Sequence, residues 1–288
     1  NCGASLVGGE WVLTAAHCVD GVEPAKLVVR VGGYDLRSTS TAGQLAKIDR
    51  ILVHPGYEQA TYNHDLALLH LTSSLALETL TTVGYSTKAA MDAGTKLITM
   101  GWGSTSTDSA ASYPYILQQV TLPYIADNLC SSAYPGAVTE NMLCAGLMSG
   151  GKDSCYGDSG GPLILGSNSS NAQQVGIISW GDGCAKAGTP GVYTRLANYT
   201  DWLNQHQLHL SMDTHTDFGY LPVGHSLVRQ IHVLNQGPMP SSLNNLLLDQ
   251  QQGFSVRANS CANSVLAPGA SCAITVALSA QTQGNKEA

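Results

Sequence analysis

Basic residues are scarce in this chain: 13 Lys and Arg stand against 20 Asp and Glu, a formal net charge of −7. A nucleic-acid partner requires a basic footprint, so this balance argues against that class of function. No run of like charge forms an acidic or basic tail. Long apolar runs are also missing. Stretches such as "GVEPAKLVVRVGG" and "SLALETL" are short and interrupted, well below the roughly 18 apolar residues that cross a bilayer as a helix. The chain opens at "NCGASL" without a leader, so secretion implies that a leader lies outside this sequence. No CxxC pair occurs, which excludes zinc ribbons and thioredoxin-type redox sites.

What is present reads as well-packed globular protein. The 288 residues are 43% hydrophobic and 11% charged, enough for one large domain or two of ordinary size. Eight cysteines, an even number, favour disulfides and an oxidising compartment. Cys2 and Cys18, Cys130 and Cys144, and Cys261 and Cys272 lie at moderate local spacing, with Cys155 and Cys184 remaining. Spacing alone does not fix their pairing.

As far as about residue 196, short β-type runs ("KLVVRVGG", "DLALLHL", "TKLITMGWG", "GPLILG", "QVGIISWGDG", "PGVYTRL") alternate with Gly, Pro, Asn and Ser. Many short strands between turn signals predict an all-β barrel or sandwich. In "ANYTDWLNQHQLHL" the pattern changes. Leu196, Tyr199, Trp202, Leu203 and His206 recur at helical spacing and predict one amphipathic helix. The polar, aperiodic "SMDTHTDFG" reads as a linker. Beyond it, Leu227, Ile231 and Val233 share a face. Cys272, Ile274, Val276 and Leu278 alternate with Ala273, Thr275 and Ala277, as in a half-buried strand. A small β-sandwich is expected there, with Cys261 and Cys272 on either side of a Pro-Gly turn.

Ser159 lies in Gly157-Asp158-Ser159-Gly160-Gly161, which matches GxSxG. In an α/β-hydrolase elbow a helix would follow the serine, and the acid and histidine would come later in the chain. Here Gly160, Gly161 and Pro162 follow, poor material for a first helical turn. A histidine and an aspartate lie upstream instead, His17 in "WVLTAAHCV" and Asp65 in "NHDLALLHL". A serine hydroxyl is a weak nucleophile until a base takes its proton, and neutral imidazole does this near pH 7. A carboxylate beside that imidazole fixes its tautomer and stabilises the cation formed later.

The order His17, Asp65, Ser159, together with "TAAHC", "DLALL", "GDSGGP", "SWGDGC" and "PGVYTR", resembles the trypsin/chymotrypsin-type serine endopeptidases over residues 1 to about 209. That resemblance implies a double six-stranded β-barrel with a C-terminal α-helix. It implies His17, Asp65 and Ser159 as the catalytic residues, and the backbone N–H groups of Gly157 and Ser159 as the oxyanion hole. Asp153 falls at the floor of the primary specificity pocket and implies cleavage after Arg or Lys, with Ser154 as an added hydroxyl. Gly181 and Gly191 would keep that pocket open. Ser179, Trp180 and Gly181 match the strand on which substrates pair, and Tyr62 and Trp180 the aromatic walls of outer subsites. Asp158 matches the family's activation residue, which pairs with the α-ammonium released when a propeptide is cut. The chain starts about two dozen residues short of where that terminus is expected, and Ala4 replaces a common glycine. Cys2–Cys18, Cys130–Cys144 and Cys155–Cys184 carry over as disulfides. The other histidines, His54 and His64 among them, read as structural.

Residues 218–288 resemble an immunoglobulin-like module of large bacterial surface and secreted proteins, on the arrangement "SC…LAPGASCAITV", and look cut short at their end. The expected organisation is a protease domain at 1–209, a linker at 210–217 and an immunoglobulin-like β-sandwich at 218–288. No cofactor and no metal are expected, since Asp35 alone supplies a carboxylate in the loop where the family can bind calcium. The reading is a secreted, bacterial serine endopeptidase made as a zymogen. Polypeptides are its substrates, protein protease inhibitors are further partners, and neither nucleic acid nor a transmembrane segment is expected. A catalytically silent, protease-like binding protein is the alternative.

Overall fold

The computed structural model describes residues 1–8, 10–38, 41–73, 84–85, 91–106, 112–166, 172–206, 210–212, 218, 220–235, 241–243, 253–267 and 269–280. It divides into two compact units, Asn1–Thr200 and Asp201–Ala288.

The first unit opens with an antiparallel sheet of β1 (Ser5–Gly8), β2 (Trp11–Thr14), β3 (Val28–Val31), β4 (Gln44–Val53) and β5 (Ala67–Leu71), in the order β1-β2-β5-β4-β3. Strand β4 shows why the chain is extended here. Ala46 and Ile48 are buried while Lys47 and Asp49 are exposed, the two-residue period of a strand with one wet face. Strand β5 lies between β2 and β4, and Ala67, Leu68, Leu69 and Leu71 are all buried. Val12, Val19, Ala46, Ile48, Ala67, Leu69 and Leu71 form the core of this half-barrel. It has five strands among the described residues, one fewer than the resemblance implied.

The second sheet closes on itself. It comprises β6 (Gly84–Tyr85), β7 (Lys96–Gly101), β8 (Gln118–Ile125), β9 (Met142–Ala145), β10 (Pro162–Leu165), β11 (Gln173–Trp180) and β12 (Gly191–Arg195), with α1 (Asp127–Ala133) between β8 and β9. The order is β10-β7-β8-β9-β12-β11-β6, and an added β10–β11 pairing makes β7 to β12 a six-stranded barrel. Closure leaves no open edge among those six strands. Leu97, Leu122, Leu143, Leu163 and Tyr193 are fully buried at its centre. A 3-10 turn at Leu196–Tyr199 leads into α2 (Thr200–His206), within the segment of helical spacing.

Beyond α2, the described residues of the second unit form strands and the turns between them. One sheet contains β13 (Leu210–Met212), β14 (Ser226–Asn235), β16 (Phe254–Asn259) and β18 (Ser271–Ser279), ordered β13-β14-β18-β16. The other pairs β15 (Ser241–Leu243) with β17 (Ser264–Leu266). Val233, Leu243, Phe254, Leu266, Ile274, Val276 and Leu278 pack between them around the Cys261–Cys272 disulfide. The buried Asn235 on β14 donates from Nδ2 to the Leu266 carbonyl on β17 at 2.9 Å, a polar tie between the sheets. Residues 210–212, read as the start of the linker, instead form β13 and pair with β14. Three residues are too few to show a period, so only the backbone pairing reveals them. Residues 213–217 and the "SLALETL" run at 74–80 lie outside the described residues.

Leu143 tests the closed barrel, since it is fully buried on β9. Leu143→Ala is expected to cost about 2–5 kcal/mol, measured as a lower urea midpoint with an unchanged slope.

Candidate active site

His17 stands on a single 3-10 turn, Ala16–Cys18, that follows β2. The Cys2–Cys18 disulfide ties this turn back to the start of the chain. Asp65 immediately precedes the Leu66 that leads into β5 and is completely buried. A buried carboxylate needs hydrogen-bond donors to remain tolerable. Asp65 has three: the His17 backbone N–H to Oδ1 at 2.9 Å, His17 Nδ1 to Oδ2 at 2.8 Å, and the Ser179 hydroxyl to Oδ2 at 2.5 Å. Its backbone carbonyl accepts from the Thr194 hydroxyl at 2.7 Å. With Nδ1 donating to the carboxylate, neutral His17 keeps its Nε2 lone pair free to accept a proton.

The segment before Asp65 is strained. Tyr62 (φ 55°) and His64 (φ 54°) both occupy the left-handed region, although neither is glycine. Asn63 holds the bend by accepting from Thr139 Oγ1 at 2.9 Å and from Asn141 Nδ2 at 3.1 Å. His64 stacks on His54 with ring centroids 5.0 Å apart and meets the Tyr199 hydroxyl at 3.0 Å. Tyr62 is thereby turned edge-on to the His17 ring, 5.4 Å away. The anchoring of His64, the bend itself and the Ser179–Asp65 bond have no sequence signature, because each depends on residues distant in the chain.

Ser159 lies in a loop bound to the disulfide-linked segments at Gly3 and Cys18. Its carbonyl accepts from Gly3 N–H at 2.7 Å, and Cys18 Sγ lies 3.6 Å from that oxygen. Gly160 has a left-handed backbone (φ +84°), and a methyl there would lie 2.3 Å from Thr14 Oγ1 and 2.5 Å from the Gly3 carbonyl. Only glycine fits such a position. The Ser159 backbone is therefore held beside the His17 turn. Its hydroxyl forms no hydrogen bond to His17 among the described residues, and catalytic contacts commonly tighten only when substrate is bound. Gly157, at φ +96°, faces Gly103 and the ring of Tyr113.

Two further aspartates flank the loop, and both are partly buried. Asp158 accepts from Gly103 N–H at 2.8 Å and Cys155 N–H at 3.0 Å. Burial pushes its carboxyl above the ordinary range. Asp153 accepts from Ser154 N–H at 2.9 Å and Ala185 N–H at 3.0 Å. Burial also pushes its carboxyl up, with the Asp158 charge adding to the effect. A methyl on Gly191 would lie 2.9 Å from Asp153 Oδ1, and one on Gly181 would lie 4.0 Å from Gly191 Cα. Asp153, Gly181 and Gly191 thus converge, and the Cys155–Cys184 disulfide joins two of the loops that carry them. Ser154 Oγ faces the Tyr193 hydroxyl at 3.3 Å. Trp180 packs edge-on to Tyr134 at 4.9 Å, and its buried indole N–H has no hydrogen-bond partner among the described residues. Asp153, Ser154 and Asp158 line a cavity of about 180 Å³ together with Thr99, Gly101 and Gly103. The described residues bring Cys2, His17 and Cys18 within metal-binding distance of one another, but both cysteines are spent in the disulfide.

The raised carboxyl of Asp153 sets a sign for pH dependence. A group that binds its proton more tightly when folded lowers stability as pH rises, here from the ordinary value of 3.8 toward the raised one. Asp153→Ser removes that penalty. The stability of the variant relative to the parent is expected to increase as pH rises through this window, as read from Tm at pH 3.5 and 7.

Comparison with known proteins places the sequence in a family. A family model described as Trypsin matches residues 1–203, and one described as HYDIN/CFA65/VesB-like, Ig-like domain matches residues 207–288. The chain is 40% identical over 202 residues to trypsin I-P1 of Gallus gallus, covering 70% of this chain and 77% of the relative. It is 39% identical over 204 residues to cationic trypsin-3 of Rattus norvegicus, covering 71% of this chain and 78% of the relative. Trypsin of Sus scrofa is 39% identical over 204 residues, covering 71% of this chain and 84% of the relative. With a family model over residues 1–203 and relatives at 39–40% identity, the chain belongs to the trypsin family of serine endopeptidases.

Proposed function

We propose that His17, Asp65 and Ser159 are the catalytic residues and that the enzyme cleaves polypeptides after Arg or Lys. The observation that carries this reading is the fully buried Asp65, whose Oδ2 accepts from His17 Nδ1 and leaves Nε2 as the base. As Ser159 Oγ attacks the scissile carbonyl, its proton passes to His17 Nε2. Asp65 stabilises the resulting imidazolium. Negative charge on the carbonyl oxygen is met by the N–H groups of Gly157 and Ser159, for which the left-handed φ of Gly157 is suited. The imidazolium then protonates the leaving amine, giving an acyl-enzyme. Water, deprotonated by His17, hydrolyses the ester and restores the hydroxyl.

Asp153 selects the substrate's cation. Its two backbone N–H donors leave a buried anion only partly compensated, and an Arg or Lys side chain between Gly181 and Gly191 supplies the missing charge. Ser154 offers that cation a hydroxyl. The 179–181 strand pairs with the substrate backbone, and Tyr62 and Trp180 wall the outer subsites. Asp158 is assigned to activation. Its partly buried carboxylate borders the cavity near Gly101 and Gly103, where an α-ammonium produced by propeptide cleavage would neutralise it. Four disulfides accord with secretion into an oxidising medium, and the source is read as bacterial. Protein protease inhibitors would engage the same cleft.

Small Arg and Lys ester substrates test this directly. Ser159→Ala is expected to lower kcat by at least about 10⁴-fold, and Asp153→Ser to lower kcat/KM on Arg esters by about 10²–10³-fold. Absence of turnover after propeptide processing would overturn the catalytic assignment, and release after Phe or Leu would overturn that of Asp153.

A further inference from the structure

Of the tyrosines in the first unit, those more than half exposed among the described residues are Tyr34, Tyr113, Tyr115 and Tyr156. They share one region. Leu36 N–H donates to the Tyr115 carbonyl at 2.9 Å and Leu117 N–H to the Tyr34 carbonyl at 2.8 Å, so the 34–37 and 115–117 segments lie side by side. The Trp102 indole N–H faces both tyrosine carbonyls, at 3.4 Å from Tyr34 and 3.2 Å from Tyr115. Arg37 lies over the Tyr115 ring, 5.1 Å from its centroid, a cation–π contact. Asp35 fixes the guanidinium by accepting from Arg37 Nε at 3.1 Å and Nη2 at 3.0 Å.

Tyrosine, tryptophan and arginine are the side chains that carry most binding energy at protein interfaces. An arginine already immobilised by Asp35 loses little freedom when a partner docks. The patch is also continuous with the catalytic loop, because a methyl on Gly157 would lie 3.4 Å from the Tyr113 ring. Only Pro114 separates Tyr113 from Tyr115 along the chain. The slot at Asp153, Gly181 and Gly191 and the 179–181 strand take the acyl side of a substrate. The residues left to meet the patch are those after the scissile bond.

We infer that Tyr34, Arg37 and Tyr115 form an accessory binding surface for the leaving-group side of a polypeptide substrate, favouring an aromatic side chain several residues beyond the cleaved bond. Asp35 already balances the Arg37 charge, so the surface selects aromatic over acidic residues. This inference rests on the peptidase reading given above.

The test compares three substrates on the processed enzyme: an Arg ester with no residues after the bond, the same acyl group extended by Ser-Gly-Gly-Gly-Gly, and by Ser-Gly-Phe-Tyr-Gly. The parent is expected to show at least a tenfold higher kcat/KM on the aromatic than on the glycine extension. Arg37→Ala/Tyr115→Ser is expected to lose that preference while cleaving the ester at the parental rate. Equal rates on both extensions in the parent, or an unchanged preference in the variant, would overturn the inference while leaving the peptidase reading intact. Failure to cleave the ester would strike the peptidase reading instead. In that case, anisotropy of labelled Ser-Gly-Phe-Tyr-Gly with parent and variant still decides the matter, since equal binding overturns the surface. Should the double variant lose ester activity, Tyr34→Ser replaces it in the same comparison.

Discussion

Asp65 has no contact with solvent, and an uncompensated carboxylate there would cost the fold several kcal/mol. The groups that hold it come from distant parts of the chain: His17, in the turn after β2, and Ser179 on β11 donate to the carboxylate, and Thr194 on β12 donates to the backbone carbonyl. The half-barrel and the closed barrel are therefore joined at the point where the imidazole is oriented. Burial gives the interaction its strength, and the same burial demands that both sheets be complete enough to supply the donors.

Asp153 and Asp158 follow a different logic. Each is partly compensated by two backbone N–H groups, and each has its proton affinity raised by burial. Asp65 satisfies its demands within the chain, while these two retain an unmet electrostatic demand beside a cleft. A fold selected for stability alone would not keep two such groups on the same loop as Ser159.

Much of this was legible in the sequence because it is local. The turn residues around Ser159, the two-residue alternation in β4 and β18, and the helical spacing after residue 196 each depend on near neighbours. What the sequence hid is long-range or conformational. Ser179 reads as part of a substrate-binding strand, yet its hydroxyl serves Asp65. His54 and His64 read as structural, but their stacking beside Tyr199 depends on a residue far along the chain. Two left-handed residues without a glycine between them leave no trace in a pattern of residue types. β13 is simply too short to have a period.

The Ser159 loop is fixed at both ends. Cys155 is tied covalently to Cys184. At the far end, Gly161 accepts from Ile178 N–H at 2.9 Å and Gly160 donates to the Ile178 carbonyl at 2.8 Å. Tyr156 to Ser159 span the gap between these moorings. Gly157 is the residue there whose φ can change sign cheaply. A flip of the peptide at Gly157 would therefore redirect a backbone N–H beside the serine while the disulfide and the pairing with β11 stay in place.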